Sequence, residues 1–283
     1  MRECGTATDR ASFRTDLLKI DTATVQRIVV DPPGARTRPF LLRRVDNHGW
    51  IGQRAGTVTD LTSVAVDATL AALLHVATDS IYTAPRRRPL ELHAANATRV
   101  RLQPSDERPE EVFFLLRRDS GLLFSFEGER EIYALLAPRP TALLRPFAAY
   151  RDRVLFREPP HRVRHLSLSI DDQSWVWSRD AERTWRLYGT QPAQHDALTL
   201  YLMDLNEHPP TEFADDFSET DARLRADVVL KGDFPTPVRL RYFAETPGDS
   251  TSRTVLHMTH RPNDYFYVEP PRWSRLVAPA TSE

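Results

Sequence analysis

A packing unit written twice constrains this 283-residue chain more than any single motif does. A β-strand, a second strand ending at a turn, a tryptophan that opens a third short strand and an apolar-faced helix occur around Trp50 and again around Trp185. In the first copy, Val25, Ile28 and Val30 favour a strand, which the Asp31-Pro32-Pro33-Gly34 turn must end. Phe40-Leu41-Leu42-Arg43-Arg44-Val45 reads as a second strand, and Asp46-Asn47-His48-Gly49 supplies residues that tolerate positive φ in a hairpin. Trp50 then opens the return strand. Thr59 or Asp60 is expected to cap a helix whose apolar face carries Val66, Leu70, Leu73, Leu74 and Ala77.

The second copy repeats the order with residues 163–170, a turn at Asp171-Asp172-Gln173, a strand through Ser174-Trp175-Val176-Trp177-Ser178 and a hairpin ending at Thr184. Trp185 and Leu187 lie on its return strand. After Pro192 a helix is expected to present Ala197, Leu198, Tyr201, Leu202 and Leu205 on one side. Counted back from the hairpin tryptophan, Phe40 matches Trp175 and Leu42 matches Trp177. Two tryptophans two residues apart on a strand share a face and could stack on a sugar. Their plain apolar counterparts instead place both in the core.

Short strands are expected at 98–102, 112–116, 122–126 and 132–136, helix signals at 138–150, and further strands at 224–230, 238–243, 254–259 and 265–268. Many short strands with one or two helices per unit argue for an α+β fold of mainly antiparallel sheets, carrying two internal strand-hairpin-helix repeats. The segments that follow are 12–84 (first repeat), 85–156 (strand-rich with a helix), 157–217 (second repeat) and 218–278 (antiparallel strands). The rigid junctions are Pro85-Arg86-Arg87-Arg88-Pro89 and Arg157-Glu158-Pro159-Pro160, and residues 279–283 form a tail.

Composition narrows function mainly by exclusion. A formal net charge of -1 gives the chain no general attraction for nucleic acid or an anionic membrane surface. With one cysteine, Cys4, it can hold neither an internal disulfide nor a multi-thiolate metal site. No secretion signal and no membrane-length apolar run is read; the best candidate, 64–77, is broken by Asp67 and His75.

Several segments together resemble a known family. Phe13-Arg14-Thr15-Asp16-Leu17-Leu18-Lys19-Ile20-Asp21, the Trp50 hairpin, Glu131-Ile132-Tyr133-Ala134 and above all Glu212-Phe213-Ala214-Asp215-Asp216-Phe217 are similar to the bacterial domain of unknown function numbered 4340. The likeness runs over roughly residues 12 to 278, though 90–125 departs from it. It implies a periplasmic or membrane-anchored envelope protein, non-catalytic and accessory to an ABC-type transporter, including the gliding-motility type. The implied partner is an envelope or ABC-transporter protein. Any membrane contact would come through an N-terminal anchor that this chain lacks as written, or through that partner.

The chemistry-bearing motifs are few. Gly-x-Gly-x-x-Gly, the phosphate loop ending in Gly-Lys-Ser/Thr and the Gly-x-Ser-x-Gly elbow are all missing, so no cofactor is expected. His257-Met258-Thr259-His260 would offer two ligands on a helix, but on the strand expected here the histidines face opposite ways, and no metal site is assigned. Asp215 and Asp216 are expected to order a turn while Phe213 and Phe217 anchor the chain to the last sheet. The Asn96-Ala97-Thr98 sequon is given no role. No catalytic residue is assigned, and Asp215 is the residue on which a hydrolase would be tested.

The first functional reading is therefore a non-catalytic envelope interaction module. The alternative is a polysaccharide- or lipid-binding module using Tyr265, Phe266, Tyr267 and Trp273, with Tyr265, Tyr267 and Trp273 as the candidate interaction surface. A hydrolase comes third.

Overall fold

In the computed structural model, residues 17–277 are described apart from 19, 35–37, 46–48, 75, 83–91, 105–108, 120, 137–139, 188–194, 221, 246–252 and 269–272. The expectations for Cys4, residues 13–16, Asp46-Asn47-His48, His75, the 85–89 junction, Pro192 and the 279–283 tail lie outside the described residues. The chain divides into two units, Met1–Arg151 and Asp152–Glu283.

The first unit contains β1 (Arg27–Asp31), β2 (Phe40–Val45), β3 (Gly49–Arg54), β4 (Thr57–Asp60), helix α1 (Ser63–Leu73), β5 (Thr78–Ile81), β6 (Thr98–Gln103), β7 (Glu111–Arg118), β8 (Gly121–Phe126) and β9 (Tyr133–Leu135). They form one nine-stranded sheet in the order β4-β3-β2-β1-β6-β7-β8-β9-β5. The β1–β6 pairing, Val30 opposite Val100, joins segments 12–84 and 85–156 in that sheet. Strand alternation sets the core: Val100 and Leu102 on β6, Phe113 and Leu115 on β7, and Leu122 and Phe124 on β8 are buried with Val66, Leu70 and Leu73 of α1. Ala55 and Gly56, both at positive φ, make the two-residue turn between β3 and β4, which matches the twist of the flanking strands.

Two local expectations are corrected in this unit. Thr59 and Asp60 do not cap α1, because both are taken up in β4, opposite Gly52 and Ile51. The N-cap is Thr62, which makes no side-chain capping bond. Its backbone N–H instead donates to the Tyr150 carbonyl at 2.9 Å. The 138–150 stretch is not one helix: 3-10 turns at Thr141–Leu144 and Phe147–Ala149 are separated where Pro146 takes an extended conformation, φ -65 and ψ 154. Tyr150, buried at the end of this stretch, donates to the Ala142 carbonyl at 2.6 Å and faces the Thr69 hydroxyl of α1 at 3.4 Å.

The second unit contains β10 (Val163–Ile170), β11 (Gln173–Arg179), β12 (Trp185–Leu187), helix α2 (His195–Glu207), β13 (Glu212–Phe213), β14 (Arg223–Gly232), β15 (Val238–Ala244), β16 (Thr254–Met258), β17 (Arg261–Val268) and the short helix α3 (Ser274–Val277). Its eight strands run in the order β12-β11-β10-β14-β15-β16-β17-β13, and every pairing is antiparallel. The fold is thus α+β with mainly antiparallel sheets. The sequence of connections matches the first unit: an opening meander, a helix, a short strand added at the far edge, and four further strands whose first pairs with the opening strand.

Helix α2 buries Leu198, Tyr201, Leu202 and Leu205, the face read from the sequence. The Tyr201 hydroxyl lies 2.9 Å from that of Tyr242, which marks the even-numbered side chains of β15 as the helix-facing set. Trp177 and Trp185 are in the core, whereas Trp175 is only half-buried, a departure from its expected full burial. The hairpin before Trp185 is organised by Asp180, whose carboxylate accepts from the Glu182 and Thr184 backbone N–H groups at 3.0 and 2.9 Å.

A buried pair anchors the start of this unit. Arg261 donates to Asp264 at 2.9 and 2.5 Å, and its remaining N–H groups reach the carbonyls of Asp152 at 2.6 Å and Val154 at 3.1 Å. The guanidinium fork suits this task, since it offers five donors in a fixed plane.

Candidate functional site

Strand alternation collects the polar side chains of the second unit on the sheet face opposite α2. Pairing aligns Arg241 of β15, His257 of β16 and Tyr265 of β17 in one row, and Phe243, Val255 and Tyr267 in the next. Glu212 of β13 stands opposite Tyr267 at the edge. After β13 the chain crosses back over this face. Ala214 N–H donates to the Tyr265 carbonyl at 2.8 Å and Phe217 N–H to the Ala214 carbonyl at 3.1 Å. Phe213 and Phe217 then fall on opposite faces, Phe213 against Phe266 at 5.0 Å and Phe217 against Phe243 at 5.5 Å and Tyr265 at 5.3 Å. Where the strap meets the sheet, Ala214, Phe243 and Val255 form a small apolar cluster, with Phe217, Ala222, Tyr265 and Tyr267 packed around it.

Glu219 is the centre of the site. Arg241 Nη1 donates to its Oε2 at 2.6 Å, the Tyr265 hydroxyl to its Oε1 at 3.3 Å, and His257 Nδ1 lies 2.7 Å from Oε1. The imidazole stacks on the Tyr265 ring at 4.7 Å with an interplanar angle of 24°. Both ring nitrogens are sealed from solvent, and neither completes a hydrogen bond of good geometry despite the closeness of Glu219. Burial pushes the His257 pKa below the usual histidine value; Glu219 opposes that shift and Arg241 adds to it. Burial and Glu219 together push the Tyr265 hydroxyl up.

A second cluster continues the face. Tyr267 donates to Glu245 Oε1 at 2.5 Å, and Arg253 reaches Glu245 and Glu212 at 3.1 Å while its guanidinium covers the Tyr267 ring, 3.5 Å from the centroid. Burial and the Glu245 carboxylate push the Tyr267 hydroxyl up to about 12. Bonds from Arg253 and Tyr267 hold Glu245 below the ordinary carboxylate value.

The residues singled out from the sequence separate in space. Tyr265 and Tyr267 are half-buried, with Tyr265 flanked by His257 and Phe217 and Tyr267 covered by Arg253. Phe266 is fully buried on the other face, and Trp273 is half-buried, with an indole N–H that has no hydrogen-bond partner among the described residues. His257 lies beneath the strap, while His260 sits in the two-residue turn between β16 and β17. Asp215 and Asp216 are exposed at the strap's first turn. Among the described residues no group of three His, Cys, Asp or Glu side chains is placed to hold a metal ion. Asn96 accepts from the His93 backbone N–H at 3.0 Å, a turn contact.

Sequence reasoning missed Glu219 and Arg241 altogether. Strand alternation puts Tyr265 and Tyr267 on one face and Phe266 on the other, but no local pattern ties Glu219 to that face. No protein-family model, curated protein or solved structure matches the chain. No helix among the described residues is long and apolar enough to cross a membrane.

Proposed function

We propose that this protein is a non-catalytic interaction module of the bacterial envelope, periplasmic or membrane-anchored, and accessory to an ABC-type transport or motility system. The observation that carries the non-catalytic part is the use made of Glu219. Both of its oxygens accept hydrogen bonds from within the protein, Oε2 from Arg241 and Oε1 from Tyr265, so this carboxylate and the adjacent His257 imidazole hold a strap of the chain's own backbone in place. A catalytic carboxylate and imidazole must reach a substrate proton within hydrogen-bond distance, whereas this imidazole is closed off by Tyr265 and the strap.

The matching strand order of the two units supports their descent from one duplicated unit. So do the register positions of Trp50 and Trp185, opposite Arg44 and Arg179. Two related sheet units in one chain favour a scaffold that presents surface. The envelope setting and the transporter partner come from the family resemblance. Affinity capture of the full chain from crosslinked bacterial envelope fractions is expected to recover a permease or another envelope protein. Recovery of neither, across several detergents, removes the proposal.

A further inference from the structure

The strap over the outer face of the second sheet is fastened by groups whose charges balance only while His257 is neutral. Arg241 and Glu219 already form a one-to-one ion pair, 2.6 Å apart. The groups facing the imidazole are Glu219 from the strap, Arg241 from β15, Tyr265 from β17 and the Pro262 backbone from the hairpin. In the next row stands Tyr267, and in the row beyond it Glu245 and Arg253; these three satisfy one another. A proton on the imidazole would place a second cation beside a single carboxylate, against the Tyr265 ring and next to the apolar row of Phe243 and Val255. Desolvating such a charge is costly unless it is fully paired.

We propose that Glu219 and His257 form a pH-sensitive latch: protonation of the imidazole releases the 214–220 strap from the outer face of the second sheet and bares the apolar surface of Phe243, Val255 and Tyr265. The direction follows from which state takes up the proton first. The closed state holds the ring neutral, its pKa lowered chiefly by burial, while the open state titrates like an ordinary histidine, near about 6.5. Closure is therefore fully favoured above about pH 6.5 and weakens as the pH falls toward the lowered value in the closed state. This goes beyond the interaction-module reading, because it adds an acid-controlled surface to it, and the strap contacts behind it do not depend on that reading.

Hydrogen exchange on the full-length chain tests the latch. After correction for the intrinsic pH dependence of exchange, amides of 214–220 are expected to lose about tenfold protection or more between about pH 7.5 and about pH 5. His257→Gln, which cannot titrate, is expected to abolish that change, and His260→Gln to leave it as in the wild type. Imidazole NMR signals of the unsubstituted protein supply a readout that needs no variant: the His257 midpoint should coincide with strap release. Equal wild-type protection at both pH values, an undiminished loss in His257→Gln, or a release midpoint distinct from that of His257 overturns the proposal.

Discussion

Arg179 lies over the indole of Trp185, 4.6 Å from its centroid, directly across the β11–β12 ladder. The same arrangement recurs in the first unit, where Arg44 lies over Trp50 at 5.2 Å across the β2–β3 ladder. In both cases the tryptophan follows the arginine by six residues. The conserved offset follows from the hairpin: with register fixed by the turn, a cation and an aromatic placed opposite each other share one sheet face.

Trp185 is fully buried, so Trp185→Ala is expected to lower stability by about 3 to 5 kcal/mol. Arg179→Ala, which removes only the cation over the ring, should cost about 0.5 to 2 kcal/mol. Thermal denaturation of the two variants side by side checks the ranking.

Gly232 is required by backbone crowding. A Cβ there would stand 2.0 Å from the Arg162 carbonyl oxygen, which cannot swing aside as a side chain can. At Gly52 an added Cβ would meet Leu61 and Phe147 side-chain atoms at 2.6 Å. Gly52→Ala is expected to cost about 1 to 3 kcal/mol through overpacking, and Gly232→Ala to cost more. Chemical denaturation midpoints would reverse in order if the first contact were the softer one.

Arg261→Met would take the guanidinium away from the buried Asp264 carboxylate and from the Asp152 and Val154 carbonyls. A loss of about 3 to 5 kcal/mol is expected from breaking such a buried pair on one side. Adding Asp264→Leu to Arg261→Met should recover part of it, because the buried carboxylate is then gone. The double-mutant cycle measures that recovery.

Tyr267 should ionise late. Its hydroxyl is pushed up to about 12 by burial and by Glu245, whereas an unfolded tyrosine titrates near about 10. Its contribution to stability is thus complete below about pH 10 and is lost as the pH rises through the folded-state value. Ultraviolet titration should show a late-ionising tyrosine that disappears in Tyr267→Phe.

Regular elements were legible wherever burial imposed a period. Val163, Leu166 and Leu168 are buried on β10, and Leu198, Tyr201, Leu202 and Leu205 on α2, because apolar spacing alone dictates which side faces a core. Boundaries failed where two uses of the same residues competed. Thr59 and Asp60 suit a helix cap by type, but an open edge beside β3 offered them ladder bonds, and the strand extended through them. The strap was half legible: Phe213 and Phe217 were read as anchors, while the carboxylate that fastens it was not.

The chain's own periodicities determined the antiparallel strands, the two amphipathic helices and the placement of Trp50 and Trp185 inside, since each of these is a local or repeating property of neighbouring residues. Tertiary structure alone decided that Glu219 meets Arg241, His257 and Tyr265, partners lying 22, 38 and 46 positions further along. Such a contact has no local signature, because its energy exists only after sheet register and chain crossing have brought the charges together and removed them from water.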